Sequence, residues 1–424
     1  MIYNIVIYFV LLGIAIASLF NEKVRKMWRG EREAFKILKQ KVDPNAKYIW
    51  FHAASLGEFE QGRPLMERIR KDYPQYKILL TFYSPSGYEV RKNYEGADII
   101  CYMPVDTRLN AIRFLRLVRP VMAFFIKYEF WSNFLHILKH RNIPTYSVSS
   151  IFREDRVFFK WYGRSYANVL KCFTRFFVQN EESKRLLESI GIKDVDVVGD
   201  TRFDRVLQIK EAAKHLPICE AFRNGVAGSD SVASSEKASH PDYKVFVAGS
   251  SWPPDEEIFI RFFNEHKDWR LLIAPHVIAE EHLKLILSLL KDKKVVRYTQ
   301  TTPEEAAKAD VLIIDCFGLL SSMYNYGDVA YIGGGFGVGI HNTLEAAVWN
   351  MPVIFGPNNK KFQEARGLLK SGGGFEINTY EDFEGLMKSL MNDEAFPKQA
   401  GDEAGAFVAS LSGATDKVLA KVTL

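Results

Sequence analysis

The stretch Tyr331-Ile-Gly-Gly-Gly-Phe-Gly-Val-Gly-Ile-His341-Asn-Thr-Leu-Glu345-Ala-Ala, running on to Pro352-Val-Ile-Phe-Gly-Pro357, decides the fold. It reads as a buried strand, a glycine loop, a short helix and a second strand. Asn342 or Thr343 can cap that helix, and Glu345 falls in its first turn, as in a capping box. Glycines 333, 334, 335, 337 and 339 let a ligand approach the backbone closely. A helix N-terminus collects unpaired N–H groups and partial positive charge, which suits a phosphate. A plain βα turn, whose glycines only solve a packing problem, fits the same glycines. The added His-Asn-x-Leu-Glu favours the phosphate-sugar reading. No G-x-G-x-x-G stands on a first βα turn and no G-K-[ST] is present, so the usual dinucleotide and nucleoside triphosphate motifs are absent.

Working outward, apolar runs alternate with amphipathic helical patterns along most of the chain. A first series of strands is expected at 48–53, 78–82, 98–102, 121–126, 145–148, 175–178 and 195–198, with helices such as 59–72 and 181–190 between them. A second series is expected at 245–248, 270–274, 294–297, 311–315, 329–332 and 353–355. Alternation of this kind makes a parallel, doubly wound α/β sheet, here twice. The Ser-, Ala- and Gly-rich residues 224–240 between the two series read as a mobile loop. Two Rossmann-like domains joined this way would face a central cleft, with ligands at the carboxyl ends of the strands.

Residues 1–20 contain no charged side chain. As a helix they span about 30 Å, one bilayer core. Lys23, Arg25, Lys26, Arg29 and Arg32 follow directly, so the expectation is a single transmembrane anchor with the remainder on the cytoplasmic side. A cleaved signal peptide would carry its basic residues on the other flank. The domain expectation is therefore an anchor at 1–21, an N-terminal domain at 22–205, a linker and mobile loop at 206–243, and a C-terminal domain at 244–424. The formal net charge of +5 suits an anionic substrate or a membrane surface and is too weak to argue for nucleic acid. Cys101, Cys172, Cys219 and Cys316 are scattered without metal spacing, which points to a reducing compartment and no structural zinc.

In the first series, Ile49-Trp-Phe-His52-Ala-Ala-Ser55-Leu-Gly57-Glu58 is a strand, a small-residue turn and a helix start. Glu58 then lies at the carboxyl end of the strand, where an ionised carboxylate can act as a base. A plain helix-start residue is the equal alternative. Lys127-Tyr128-Glu129-Phe130-Trp131-Ser132-Asn133 follows the apolar run 121–126 and puts Glu129 on the same side of the sheet. Two carboxylates there suit acid/base or hydroxyl-orienting work, with helix capping again the alternative. The segment Phe152-Arg153 to Arg164 interleaves bases with aromatics. Arg153, Arg156, Lys160 and Trp161 are its candidates for contact with anionic lipid headgroups. An amphipathic helix packing its aromatics inward is the rival.

Taken together, these segments resemble the 3-deoxy-D-manno-octulosonic acid (Kdo) transferases of the lipid A pathway, membrane-anchored GT-B glycosyltransferases that use CMP-Kdo. The likeness spans nearly the whole chain. It runs from the N-terminal anchor through His52–Glu58, Glu129–Asn133, Val178-Gln179-Asn180, Val198-Gly-Asp-Thr-Arg-Phe-Asp204 and Gly249-Ser-Ser-Trp-Pro-Pro-Asp-Glu256 to the block at 333–357. The resemblance implies that Glu58 is the general base, that Glu129 supports the acceptor side beside Ser55 and Gly57, and that the C-terminal block binds the CMP moiety. Donor contacts then fall on Ser250, His276, Gly334, Gly335, Gly337, Asn342 and Glu345. It implies an inner-membrane enzyme that transfers Kdo with inversion to a lipid A precursor, with no metal or other cofactor; no DxD motif lies between strands. Its partners are CMP-Kdo, the lipid A precursor and anionic lipids, with no nucleic acid.

This chain departs from the family's usual pattern at four places. Trp131-Ser132-Asn133 stands for Trp-Pro-Asn, and Ala274-Pro-His276-Val for Pro-Arg-His-Pro. Asp315-Cys-Phe-Gly318-Leu319 stands for Asp-Thr-x-Gly-Glu, and Ile340-His341-Asn342 for Gly-His-Asn. Arg297 or a lysine is the expected replacement for the missing arginine. The rival readings are another membrane-anchored GT-B glycosyltransferase with a different nucleotide sugar, a UDP-sugar epimerase, and a non-catalytic binding protein.

Overall fold

The computed structural model describes residues 2–225 and 243–424. The chain divides into two compact units, Met1–Arg205 with Leu411–Leu424, and Val206–Ser410. The first holds β1 (Lys47–Ala53), β2 (Tyr76–Phe82), β3 (Ile99–Tyr102), β4 (Met122–Ile126), β5 (Thr145–Ser150), β6 (Arg175–Val178) and β7 (Val195–Val197). The second holds β8 (Lys244–Ser251), β9 (Trp269–Pro275), β10 (Val295–Arg297), β11 (Val311–Ile313), β12 (Val329–Ile332), β13 (Val353–Phe355) and β14 (Gly374–Glu376). Strand β14 has too short an apolar run to be legible and was not expected.

The strand orders are β3-β2-β1-β4-β5-β6-β7 and β10-β11-β9-β8-β12-β13-β14, with parallel pairings throughout. Each sheet is thus doubly wound. The chain moves one way from β1, then returns to place β4 on its other side; β8 and β12 repeat the arrangement. Loops leaving the carboxyl ends of such a strand pair diverge to opposite faces and leave a crevice there, so ligands bind at that point.

The strands are continuous apolar runs because helices cover both faces of a parallel sheet. Trp50 of β1 is fully buried, with Phe114, Phe125 and Phe134 packed around it at centroid distances of 4.8, 5.1 and 5.6 Å. Its indole N–H donates to Thr81 Oγ1 at 2.8 Å, so the buried polar atom is satisfied.

Helix Ile2–Phe20 is long and apolar enough to cross a membrane by length and composition. One face lies against the first unit. Tyr3 Oη donates to Asp106 Oδ2 at 2.5 Å, Asn4 Oδ1 accepts from Asn133 Nδ2 at 2.8 Å, and Ser18 is buried. The other face exposes Ile5, Phe9, Leu12, Ile16 and Leu19, which recur at helical spacing as an apolar stripe. Helix Glu22–Lys41 follows after Asn21, whose side chain caps it by accepting from Val24 N at 3.2 Å.

Two domain boundaries differ from the sequence expectation. Residues 206–225, expected as linker, continue the helix Arg202–Glu211 and form the helix Pro217–Asn224; residues 226–242 of the expected mobile loop lie outside the described residues. Residues 411–424, expected in the C-terminal domain, return to the first unit. Asp204 holds them there. It accepts from Gly413 N at 2.5 Å, Thr415 N at 2.7 Å and Thr415 Oγ1 at 2.6 Å, at the start of helix Ala414–Leu419. Ala414 and Val418 then enter the core with Ile69, Leu80 and Val198. An aspartate 209 residues away cannot be paired with this glycine by local sequence signals.

Replacing that aspartate leaves three donors without their anion. Asp204→Ala should lower the stability of the first unit by about 1.5–3 kcal/mol and expose residues 411–424 to protease. Urea unfolding with limited proteolysis checks this; an unchanged midpoint and an intact C-terminus would show that the anchor lies elsewhere.

Candidate functional site

At the carboxyl end of β1 the chain turns through Ala54 and Ser55 into helix Leu56–Asp72. Ser55 is the N-cap residue, yet it makes no side-chain cap bond; its hydroxyl donates instead to Glu58 Oε2. The serine-to-glutamate spacing of a capping box is present without the box. Glu58 stands in the helix's first turn, as the helix-start reading expects, and accepts there from the Ser55 hydroxyl. Lys127 Nζ lies 4.0 Å from Glu58 Oε1 and brings positive charge beside it. Gly57 has open space around an imagined Cβ, apart from the Ser55 hydroxyl at 3.8 Å.

Glu129 comes from the loop after β4, the strand paired with β1. Its Oε2 accepts from the Trp131 indole N–H at 2.6 Å and faces His52 Nε2 at 3.1 Å. His52 is fully buried on β1, and its Nδ1 lies 2.9 Å from Thr81 Oγ1 in the matching position of β2. In the arrangement that places a proton between His52 and Glu129, Trp50 donates to Thr81, Thr81 to His52 Nδ1, and His52 Nε2–H to Glu129. Both donors converge on Oε2, which leaves Oε1 for a ligand.

Between β4 and Glu129, Lys127 takes a left-handed φ of 67°; at the end of β8, Ser250 takes φ 53°. Non-glycine residues rarely adopt this conformation, and they do so here at the carboxyl end of a switch strand in each unit.

Glu129 also lines an open pocket of about 390 Å³ with Tyr3, Tyr128, Trp131, Phe158 and Arg156. The segment that follows β5 is not one amphipathic helix. It forms the 3-10 turns Val157–Phe159 and Trp161–Gly163, which split the side chains. Phe152 and Phe158 are buried, whereas Trp161 is 83% exposed and Arg153 and Arg156 are exposed. Lys160 is half-buried. The structure therefore joins Arg156 to Glu129 and leaves Trp161 outside.

In the second unit the glycine block sorts into two kinds. A Cβ on Gly333 would fall 2.2 Å from Ser250 O, and one on Gly335 would fall 2.5 Å from Gly356 Cα. Gly334 has φ 91° and a Cβ there would meet Gly339 O at 2.4 Å. These three are demanded by packing, and Gly334 and Gly335 are buried. Gly337 alone of the loop is exposed with nothing within 4 Å of a Cβ. The helix beyond is a single turn, Leu344–Ala347, so its dipole is weaker than the sequence reading assumed. Asn342 Oδ1 accepts from Leu344 N at 3.2 Å, while Asn342 Nδ2 donates to Glu345 Oε1 at 3.0 Å. The expected capping box is replaced by this side-chain pair.

Asp255, nearly fully buried, ties the loop to β8. It accepts from Gly334 N at 2.8 Å, Tyr331 Oη at 2.8 Å and Trp252 N at 2.9 Å. Beside it three rings stack, Trp252 on His276 at 4.8 Å and His276 on His341 at 4.3 Å. The Trp252 indole N–H donates to His341 Nε2 at 3.2 Å. Ser250 and His276 thus sit with the glycine loop. Arg297 does not: it ends β10 at the sheet's far edge, and its guanidinium is held by Glu280 at 3.1 Å and Asp315 at 3.2 Å. The expected replacement for the missing arginine is therefore already spent. Trp252, His341, His52 and Trp131 all lie inside the legible motifs, but only their contacts show what they do. Among the described residues no group of three or more His, Cys, Asp or Glu side chains is arranged to hold a metal ion.

Two doubly wound seven-stranded sheets, each with its candidate residues at the switch point, define the GT-B architecture. UDP-GlcNAc 2-epimerase from Neisseria meningitidis shares it at TM-score 0.58 and 14% identity, over 88% of this chain and 98% of that one. Acinetobacter baumannii MurG does so at TM-score 0.52 and 12% identity, over 89% and 99%. At such identities the likeness concerns the fold alone. In sequence, the profile of the 3-deoxy-D-manno-octulosonic-acid transferase (kdotransferase) family matches residues 29–205. The 3-deoxy-D-manno-octulosonic acid transferase of Haemophilus influenzae is 26% identical over 89% of this chain and 86% of its own. That of Aquifex aeolicus is 26% identical over 81% and 86%. Over most of its length the chain is thus similar to the Kdo transferases, a group of glycosyltransferases.

Burial, with His276 alongside, pushes the His341 imidazole down to about 4. The folded state then binds its proton less readily than the unfolded chain, whose histidine titrates near 6.5. The resulting stability is full above about pH 6.5 and is lost as pH falls towards 4. We expect an imidazole NMR titration midpoint near 4 for His341. Unfolding free energy should fall on the order of 1–2 kcal/mol less between pH 6.5 and 4.5 in His341→Asn than in wild type, allowing for partial exposure. A midpoint near 6.5 would mean that the ring stack leaves His341 open to water.

Proposed function

We propose that this chain transfers Kdo from CMP-Kdo, with inversion, to a hydroxyl of a lipid A precursor in lipopolysaccharide synthesis. The observation that carries the reading is the convergence of Glu58 and Glu129 on the carboxyl ends of the paired strands β1 and β4, within the unit that the family profile covers. Glu58 takes the proton of the acceptor hydroxyl as its oxygen attacks the anomeric carbon of Kdo. The anomeric C–O bond to phosphate breaks and CMP departs with the electron pair. Glu129, oriented by His52 and Trp131, accepts a hydrogen bond from the acceptor through Oε1.

On the donor side, the exposed backbone at Gly337 and the Asn342–Glu345 pair meet the phosphate and ribose, with His276 and Ser250 alongside. The leaving phosphate is stable as an anion without protonation, so the reaction as proposed uses no metal or other cofactor. We place the protein at the inner membrane with both units on the cytoplasmic side, held by the apolar helix and the basic cluster after it. Arg153, Arg156, Lys160 and Trp161 add contacts to anionic lipid.

Incubation with CMP-Kdo and a tetraacyl lipid A precursor, with products read by mass, tests the reading. Competition by CMP against UDP separates it from a transferase using another nucleotide sugar. Glu58→Gln should lower turnover by about 10²–10⁴-fold with folding and CMP binding nearly intact. Near-normal turnover in that variant would remove Glu58 from the mechanism.

Gly337→Val and Glu345→Ala probe the donor side. A Cβ at position 337 has no described protein atom within 4 Å, so the valine is aimed at a ligand on the backbone. Each change should raise the dissociation constant for CMP by roughly ten- to a hundredfold, measured by calorimetry. Wild-type affinity in both variants would move the donor site to the His276 side of the loop.

A further inference from the structure

The pocket beside the middle of the apolar helix is used by nothing described above. It encloses about 310 Å³ and is lined by Leu11 of helix Ile2–Phe20, by Trp28, Glu31 and Arg32 of the next helix, and by Val105 and Arg113. Glu31 is 5% exposed, and among the described residues neither of its carboxylate oxygens has a hydrogen-bond partner. Burial alone pushes its carboxyl up to about 8. An unpartnered buried carboxyl destabilises a fold, and a leucine there would not. A chain keeps such a group where something supplies the missing partner.

The same pocket carries two guanidinium groups. Arg32 lies 4.3 Å over the Trp28 ring and Arg113 4.3 Å over Phe35. Among the described residues neither forms an ion pair. The wall thus offers one buried acceptor of positive charge and two exposed cations, each resting on a ring, whose N–H donors pair with no described residue. A simple anion would satisfy the arginines and leave Glu31 alone. A simple cation would satisfy Glu31 and be repelled by the arginines. A ligand with both charges a few ångströms apart satisfies all three.

We propose that this pocket binds the headgroup of a phospholipid bearing a primary amine, as in phosphatidylethanolamine. The ammonium meets the Glu31 carboxylate, the phosphate meets Arg32 and Arg113, and the acyl chains run out past Leu11 along the exposed stripe of the apolar helix. A quaternary ammonium has no N–H to donate, so choline lipids fit poorly. The inference rests on the membrane attachment proposed above and goes beyond it by naming the lipid.

The test uses the full-length protein and two sets of vesicles with equal phosphatidylglycerol, one completed with phosphatidylethanolamine and one with phosphatidylcholine. Wild type should bind the ethanolamine vesicles roughly five- to tenfold more tightly, a preference of about 1–1.4 kcal/mol. Glu31→Gln should bring both to the weaker value while folding at least as stably as wild type without lipid. Soluble glycerophosphoethanolamine, added in detergent, should raise the unfolding temperature of wild type and not of the variant. Equal vesicle affinities in wild type overturn the proposal, as does a preference that survives in Glu31→Gln. A less stable Glu31→Gln would make the carboxyl structural and overturn it too. Failure to bind either vesicle would refute the membrane attachment, and the soluble headgroup still decides the site.

Discussion

Two parallel strand pairings, β1 with β4 and β8 with β12, are the constraint on which everything functional in this chain depends. A parallel sheet needs a crossover for every strand, and a sheet wound in both directions has one place where successive crossovers part. Side chains on the loops leaving that place are surrounded by backbone that has nowhere else to go. In the first unit this brings Glu58 and Glu129 to the same sheet end from positions 71 residues apart. In the second it sets the turn after β8 against the glycine loop after β12.

Buried polar groups then fix the geometry that the pairing only permits. In the first unit Thr81, His52 and Trp131 form a closed set of donors and acceptors that ends on one oxygen of Glu129. In the second, Asp255 collects three donors from β12, the glycine loop and the turn after β8. Burial raises the Asp255 carboxyl above its ordinary value, and those three donors pull it back. Networks satisfied at every atom hold one arrangement, because any other leaves a buried donor or acceptor unpaired. The glycines serve the same end: Gly333, Gly334 and Gly335 leave no room for a Cβ, so the loop's shape is a packing requirement before it is a ligand site.

The apolar N-terminal helix follows a different physics. Helix Ile2–Phe20 turns one side to the first unit through Tyr3 and Asn4 and exposes an apolar stripe on the other. Tyr3 reaches the pocket that Glu129 lines, and Leu11 reaches the pocket that holds Glu31. The exposed apolar helix face and the candidate acceptor residues therefore share one unit, as the proposed transfer to a lipid acceptor requires.

The sequence by itself determined the elements. Thirteen of the fourteen strands were legible as apolar runs, because parallel strands are buried on both faces and say so residue by residue. It also determined the apolar N-terminal helix and the carboxylates after β1 and β4, since strand ends can be read from where such runs stop. Tertiary structure alone decided what distant residues do to one another. It returned residues 411–424 to the first unit through Asp204, and it spent Arg297 on Glu280 and Asp315. It shortened the helix after the glycine loop to one turn and divided those glycines between packing and open surface. It also left Glu31 buried without a partner among the described residues. Local periodicity reports how each residue meets its own element. Hydrogen bonds and steric room across 70 to 200 residues depend on which elements become neighbours, and no local pattern records that.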